Sequence, residues 1–159
     1  MKRFLVLLGL VVAARAQTAV LPNKTCHELV ELADLTATND NNGAVAELKI
    51  TLDTPVGELL GLIAAVQGCE SSVRAGEQRQ LREFRERLEG KYLRRLRAFL
   101  RARTKNGKTY MDMYLDEFGT PTSEDQDREH METFLRKNNL VEEFTSFDEQ
   151  YYTKHQKTK

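Results

Sequence analysis

The feature that most constrains the fold of this chain is a run of apolar residues that recur every three or four positions. Its members are Leu81, Phe84, Leu88, Tyr92, Leu96 and Leu100. Charged side chains fill most of the positions between them. This spacing is that of one face of an α-helix. The sequence therefore predicts a long amphipathic helix from Ser72 to about Arg103, in which Gly90 marks a bend or a close contact.

Two segments before this helix also have helical spacing. Thr25-Cys26-His27-Glu28 has the T-x-x-E form of a capping box, which predicts a helix from Cys26 to about Thr36. The polar cluster 39–43, with its Asn, Asp and Gly residues, ends that helix in a turn. The next stretch, Ala44–Leu52, fits either a helix or a strand, and we favour a helix because no nearby segment offers a pairing strand.

Thr54-Pro55 resembles an N-cap followed by proline at the first helical position. The helix that it starts ends at Gly68 and has one apolar face, formed by Val56, Leu59, Leu60, Ile63 and Val66. Because nearly all of its residues are apolar, we expect this helix to be the central element and to be buried on most sides.

Three further helices follow the long one. Asn106-Gly107 ends the long helix, and a short helix from Tyr110 stops at Gly119. Ser123-Glu124-Asp125-Gln126 is a second capping box. The helix that it starts carries Met131, Phe134 and Leu135, and a last helix carries Leu140, Val141, Phe144, Phe147 and Tyr151. The prediction is one all-α domain of six to seven helices over residues 17–159, with a loose basic tail from about Lys154.

The N-terminal residues indicate export. Lys2 and Arg3 precede an uncharged apolar run, and Ala14-Arg15-Ala16 has the form of a signal peptidase site. The apolar run is too short to cross a bilayer as a helix, for which about 20 residues are needed, and no later segment is suitable. We therefore expect residues 1–16 to be a signal peptide and the protein to be secreted, with no membrane span.

Secretion makes two modifications credible. The chain has two cysteines, Cys26 and Cys69. An even number of cysteines in an oxidising compartment predicts one intramolecular disulfide. The alternatives are two free buried thiols or an intermolecular bridge. Asn23-Lys24-Thr25 is an N-glycosylation sequon, so Asn23 is a candidate glycosylation site.

The formal net charge of zero is the sum of two opposite blocks. Residues 91–108 contain eight cations and no acid, and residues 112–151 contain twelve acids and three cations. The basic stretch has two possible roles: binding a partner, such as an extracellular host protein or anionic glycans, or pairing with the acids that follow. The candidate partner-binding cations are Lys91, Arg94, Arg95, Arg97, Arg101 and Arg103. Secretion and the balanced total charge disfavour nucleic acid.

Aromatic residues are concentrated in the last third of the chain and, at helical spacing, are expected mostly in the core. Tyr151 and Tyr152 are an exception, because adjacent residues of one helix cannot both face inward. We expect one of them to be exposed and to contact a protein partner.

No motif indicates catalysis or metal binding. His27, His130 and His155 are scattered and have no zinc-ligand spacing. The loop around Asp40 lacks acids at the positions that a calcium loop needs. No nucleophile or phosphate-loop motif is present, so the sequence favours a protein that is not an enzyme and has no cofactor.

The LPNKTC segment, the TNDNNG turn, the Thr54-Pro55 apolar helix, the cysteine pair and the charged C-terminal half together resemble the small all-helical salivary proteins of anopheline mosquitoes, the anophensin and albicin family. The resemblance implies an injected, non-catalytic effector that binds a host plasma protease system. It further implies inhibition of the alternative complement pathway or of contact activation. The alternatives are a secreted carrier of small apolar ligands, with the helix Pro55–Gln67 and the C-terminal aromatics lining a cavity, and a structural or egg-associated protein.

Overall fold

Six α-helices and one short β-hairpin make up the described part of the chain. The computed structural model describes residues 24–38 and 55–156, except for the side chains of Thr38 and of residues 152–156. The elements are α1 (Cys26–Thr38), α2 (Val56–Cys69), α3 (Ala75–Ala102), β1 (Thr104–Lys105), β2 (Lys108–Thr109), α4 (Tyr110–Phe118), α5 (Glu124–Lys137) and α6 (Val141–Gln156). The predicted all-α class is confirmed.

Several predictions concern residues outside this part of the chain. They are the signal peptide 1–16, the sequon at Asn23, the turn 39–43, the segment Ala44–Leu52 and the end of the tail, 157–159.

The described residues divide into two compact units, with the boundary between Glu89 and Gly90 inside α3. In the N-terminal unit, the capping box of α1 is confirmed: the Thr25 amide donates to Glu28 Oε2 at 2.7 Å, and the Glu28 amide donates to Thr25 Oγ1 at 3.3 Å. A disulfide joins Cys26 to Cys69, so the predicted pairing is also confirmed. It links the first residue of α1 to the last residue of α2.

Helix α2 differs from its prediction in its start and in its buried face. Pro55 has a ψ of 150° and occupies the N-cap, so the helix begins at Val56 and not at the proline. Its buried residues are Val56, Leu59, Leu62, Ile63, Val66 and Cys69. Leu62 therefore takes the place predicted for Leu60, which is only half-buried. Ala64, Gln67 and Gly68 are exposed, so α2 buries one face and is not enclosed on most sides.

The long helix α3 is shorter at its start than predicted because residues 70–74 form a turn. The Ser72 amide and hydroxyl both donate to the Cys69 carbonyl, each at 3.1 Å, and Glu77 Oε2 accepts from the Arg74 amide. The predicted inward positions are confirmed, since Leu81, Phe84 and Leu88 are buried in the N-terminal unit and Tyr92, Leu96 and Leu100 in the C-terminal unit. A Cβ added at Gly90 would meet no atom within 4 Å, so the expectation of a close contact there is wrong.

Asn106-Gly107 forms the turn of a β-hairpin, which the sequence analysis did not predict. Both residues have positive φ, 53° and 79°, as the two central positions of a type I′ turn require. Thr104 pairs with Thr109 and Lys105 with Lys108. Each strand has only two residues. This is too few to show the alternation of apolar and polar residues from which a strand is predicted.

In the C-terminal unit, α4 begins at a capping box of Thr109 and Asp112 and ends at Gly119, whose φ of 73° favours glycine. Ser123 caps α5 by accepting from the Gln126 amide, but the Gln126 side chain accepts from Thr122 and not from Ser123, so only half of that predicted capping box forms. Helix α6 continues to Gln156, because no glycine or proline follows Tyr151 to end it.

Candidate functional site

The predicted partner-binding cations of the C-terminal unit fall into two groups, according to whether they form ion pairs. Arg95, Arg97 and Arg103 form ion pairs with acids of α5 and α6. Arg94 and Arg101 are exposed, and their side chains make no ion pair or hydrogen bond within residues 24–38 and 55–156. The cations of the basic stretch therefore differ in environment, since three of them pair with acids of the same unit and Arg94 and Arg101 do not.

Arg97 is part of a hydrogen-bonded network around Asp127, a residue that is 1% exposed. The Arg97 Nε and Nη2 atoms donate to Asp127 Oδ2 at 2.9 and 2.5 Å, and the Tyr114 hydroxyl donates to Oδ1 at 2.6 Å. Asp127 also lies in the first turn of α5, where the helix dipole favours negative charge. Burial and the bond to Asp127 raise the pKa of Tyr114. Each oxygen of this buried carboxylate thus has a donor, as stability requires.

Arg95 pairs with Asp148 of α6, with 3.5 Å between Nε and Oδ1. The two side chains are 12% and 4% exposed, so this pair is largely removed from water. Arg95 and Arg97 therefore attach α6 and α5 to α3, and neither offers much surface to a partner.

Arg103 has a different environment from the other two. Its Nε lies 3.8 Å from Glu143 Oε1, and both side chains remain about two-fifths exposed. The Tyr110 hydroxyl donates to the other oxygen of Glu143, and this bond together with burial raises the pKa of Tyr110. The guanidinium of Arg103 makes no hydrogen bond within the described residues, although it carries five N–H donors.

Arg103 also stacks against the aromatic side chains of α6. Its Cζ lies 5.4 Å from the centroid of the Phe147 ring, within the range of a cation–π interaction. Phe147 stacks in turn on Tyr151, with 6.4 Å between centroids and 26° between planes. Tyr151 is 50% exposed. We call Arg103, Phe147 and Tyr151 the Arg103–Tyr151 surface.

The prediction that either Tyr151 or Tyr152 is exposed can be compared with the structure at Tyr151. Tyr151 is exposed, as expected of one of the two, whereas the side chain of Tyr152 lies outside the described residues. Lys91, the first cation of the basic stretch, is half-buried.

A buried acid in α5 was not recognised from the sequence. Glu132 is 6% exposed, and burial raises its pKa to about 8, although a hydrogen bond with Tyr92 and the charges of Arg128 and Arg136 act against this increase. Glu132 Oε1 has no hydrogen-bond partner within the described ranges. A signal was present, since Glu132 is flanked in sequence by Met131 and by Phe134 and Leu135, which are buried.

The separation of the cations was also predictable from helix geometry. At 100° per residue, positions two before and five after Leu96 lie on the opposite side of the helix from it, and these are Arg94 and Arg101. Arg97 lies about 100° from Leu96 on the wheel, and Arg103 lies about 20° from it. A helical wheel centred on the apolar positions therefore separates paired from exposed cations.

The aromatic rings of the C-terminal unit pack on one another. The Phe99 centroid lies 5.5 Å from those of Phe144 and Phe147 and 5.7 Å from that of Tyr110. Phe144 also contacts Tyr92, with 6.4 Å between centroids. These rings, which the carrier hypothesis placed around a cavity, form the core of this unit.

No family model, curated protein or solved structure matches this chain. Across the described ranges, no three His, Cys, Asp or Glu side chains are grouped so that they could hold a metal ion. None of the helices in that part of the chain is both long enough and apolar enough to cross a bilayer.

Proposed function

We propose that this protein is a secreted, non-enzymatic effector that binds a host plasma protein and inhibits the alternative complement pathway or contact activation. The observation that carries the proposal is the Arg103–Tyr151 surface. The disulfide supports the extracellular setting, because such bonds persist in oxidising compartments.

The composition of this surface is that of a protein contact. Arginine and tyrosine are enriched among the residues that contribute most to binding energy at protein interfaces. Arg103 and Tyr151 both remain substantially exposed, so a partner can reach them. Phe147 lies between them and anchors both to Phe99 in the core.

The arrangement also lowers the entropic cost of binding. The cation–π contact and the Glu143 pair hold Arg103 in place before any partner arrives. A side chain that is already ordered loses less conformational freedom on association. The unused donors of Arg103 suit a carboxylate, and Tyr151 suits an apolar neighbour, so we infer a partner that presents an acidic and an apolar side chain together.

The test is capture of plasma proteins by the immobilised mature chain, compared with a variant carrying Arg103→Gln and Tyr151→Ala. We expect a specific plasma protein to be retained by the native chain and lost from this variant. The matched control is Arg82→Gln with Leu115→Ala, which also removes one exposed cation and one exposed apolar side chain. It should retain the plasma protein.

Two functional assays accompany the capture: lysis of erythrocytes by the alternative pathway, and clotting triggered by contact activation. The native chain should inhibit one of them, and the Arg103→Gln, Tyr151→Ala variant should not. Failure to retain any plasma protein, with no effect in either assay, would refute the proposal.

A further inference from the structure

The outward side of α3 in the C-terminal unit is cationic along its length. We call Arg94, Ala98 and Arg101 the outward cationic face; all three are exposed. Arg94 and Arg101 are seven residues apart, which is about two turns and about 10 Å along the helix axis. Ala98 lies between them and is small, so a chain that follows the helix can approach its backbone there.

The charges of this face are not balanced by any residue that the structure describes. The side chains of Arg94 and Arg101 make no ion pair or hydrogen bond in the described ranges, and the same holds for the side chain of the exposed Lys105 just after α3. No acid occurs in the sequence from residue 91 to 108. Nearby acids of the C-terminal unit bind other cations, such as Asp127 with Arg97 and Asp148 with Arg95.

The outward cationic face contains no large apolar side chain. The exposed large apolar residues of the described ranges are Leu35, Leu115 and Tyr151, and none belongs to it. A protein interface normally centres on a buried aromatic or aliphatic anchor, and membrane attachment needs apolar residues for insertion. Two exposed arginines on one helix face without such an anchor fit a flexible linear polyanion.

We propose that the outward cationic face binds a sulfated glycan that lies along α3. Arginine suits this ligand because its planar guanidinium donates two parallel hydrogen bonds to an oxyanion such as sulfate or carboxylate. The glycan site is separate from the Arg103–Tyr151 surface, and its role is to concentrate the protein on extracellular matrix and cell surfaces.

The test is calorimetric titration of the mature chain with a size-defined heparin oligosaccharide near 0.15 M NaCl. The variant Arg94→Gln, Arg101→Gln should bind at least about tenfold more weakly, because charge-assisted hydrogen bonds are lost. Its affinity should also fall less steeply with added salt. The control Arg79→Gln, Arg82→Gln removes two exposed cations from the same helix and should bind as the native chain does.

Specificity for the sulfated chain is tested in the same assay. Desulfated heparin should bind much more weakly than heparin, and sodium sulfate should displace heparin no better than sodium chloride of equal ionic strength. Equal weakening in both double variants would show an effect of total charge alone and would overturn the proposal. The absence of heparin binding by the native chain would also overturn the proposal. So would a result in which Arg94→Gln, Arg101→Gln keeps heparin binding and loses binding to phosphatidylserine vesicles.

The outcome is independent of the plasma-protein proposal. If Arg94→Gln, Arg101→Gln loses heparin and retains the plasma protein, the two surfaces have separate ligands, as proposed. If it loses the plasma protein and retains heparin, the glycan assignment is wrong while the effector proposal stands.

Discussion

Two buried carboxylates of α5 differ in how their charge is accommodated. Asp127 accepts hydrogen bonds from Arg97 on one oxygen and from Tyr114 on the other, so both of its buried oxygens have donors. Glu132 is bonded to the hydroxyl of Tyr92, which does not carry a compensating charge, and its Oε1 has no partner in the described residues. The environment of Glu132 therefore favours the neutral acid.

This difference predicts a pH dependence of stability. Burial raises the pKa of Glu132 from 4.5 to about 8 in the folded protein. Between these values the unfolded chain has lost the proton and the folded chain has kept it, so rising pH favours unfolding. We expect the contribution of Glu132 to be lost as the pH rises from about 4.5 to 8, with a total on the order of 5 kcal/mol.

The measurement is urea unfolding of the native chain and of Glu132→Gln across this pH range. Glu132→Gln keeps a polar group for Tyr92 but cannot ionise, so its advantage over the native chain should grow with pH and level off above 8. Glu124→Gln, at an exposed position of the same helix, should leave the pH dependence unchanged. Parallel curves for the native chain and Glu132→Gln would contradict the prediction.

At the scale of the element, α3 has two sides with different roles. Its inward side supplies core residues and the arginines that bind α5 and α6, and its outward side presents Arg94 and Arg101. The helix is continuous from Ala75 to Ala102 despite Gly90. Since no neighbour approaches Gly90, packing does not require a glycine there.

Gly90→Ala should therefore stabilise the protein. Alanine is favoured over glycine in a helix interior by about 1 kcal/mol, and the added methyl group has open space. The comparison variant is Gly119→Ala, which should destabilise because φ is 73° at that helix end. Both are measured by urea unfolding, and a loss of stability in Gly90→Ala would show that the glycine has a role in packing.

For the whole molecule, the disulfide is the one covalent constraint between distant parts of the described chain. It joins residues 43 positions apart and closes a loop that contains the segment between α1 and α2. A loop of this length stabilises a protein by about 4 kcal/mol on the chain-entropy model.

Cys26→Ser with Cys69→Ser should therefore lower the free energy of unfolding by about 4 kcal/mol, measured with denaturant against the native chain. Electrophoresis of the native chain without reductant should show a monomer. A dimer that reductant dissociates would instead reveal an intermolecular bridge, and an unchanged unfolding midpoint would show that the bridge adds no stability.

The sequence by itself determined most of the local structure. Apolar spacing located the inward residues of α3, Thr25 with Glu28 marked the start of α1, and Gly119 marked the end of α4. These features depend on hydrogen bonds and side chains within a few residues of one another, so they are readable from adjacent positions. The even number of cysteines predicted the Cys26–Cys69 disulfide, but it left free thiols and an intermolecular bridge open.

Tertiary structure decided which charges are balanced and which remain exposed. Arg97 and Asp127 are 30 residues apart, and their pairing depends on how α5 lies against α3. The same is true of Arg103 and its stack on Phe147, and of the burial of Glu132 beside Tyr92. The sequence showed a basic block followed by an acidic block, but the choice of partners depends on the packing of whole helices, which local spacing does not encode.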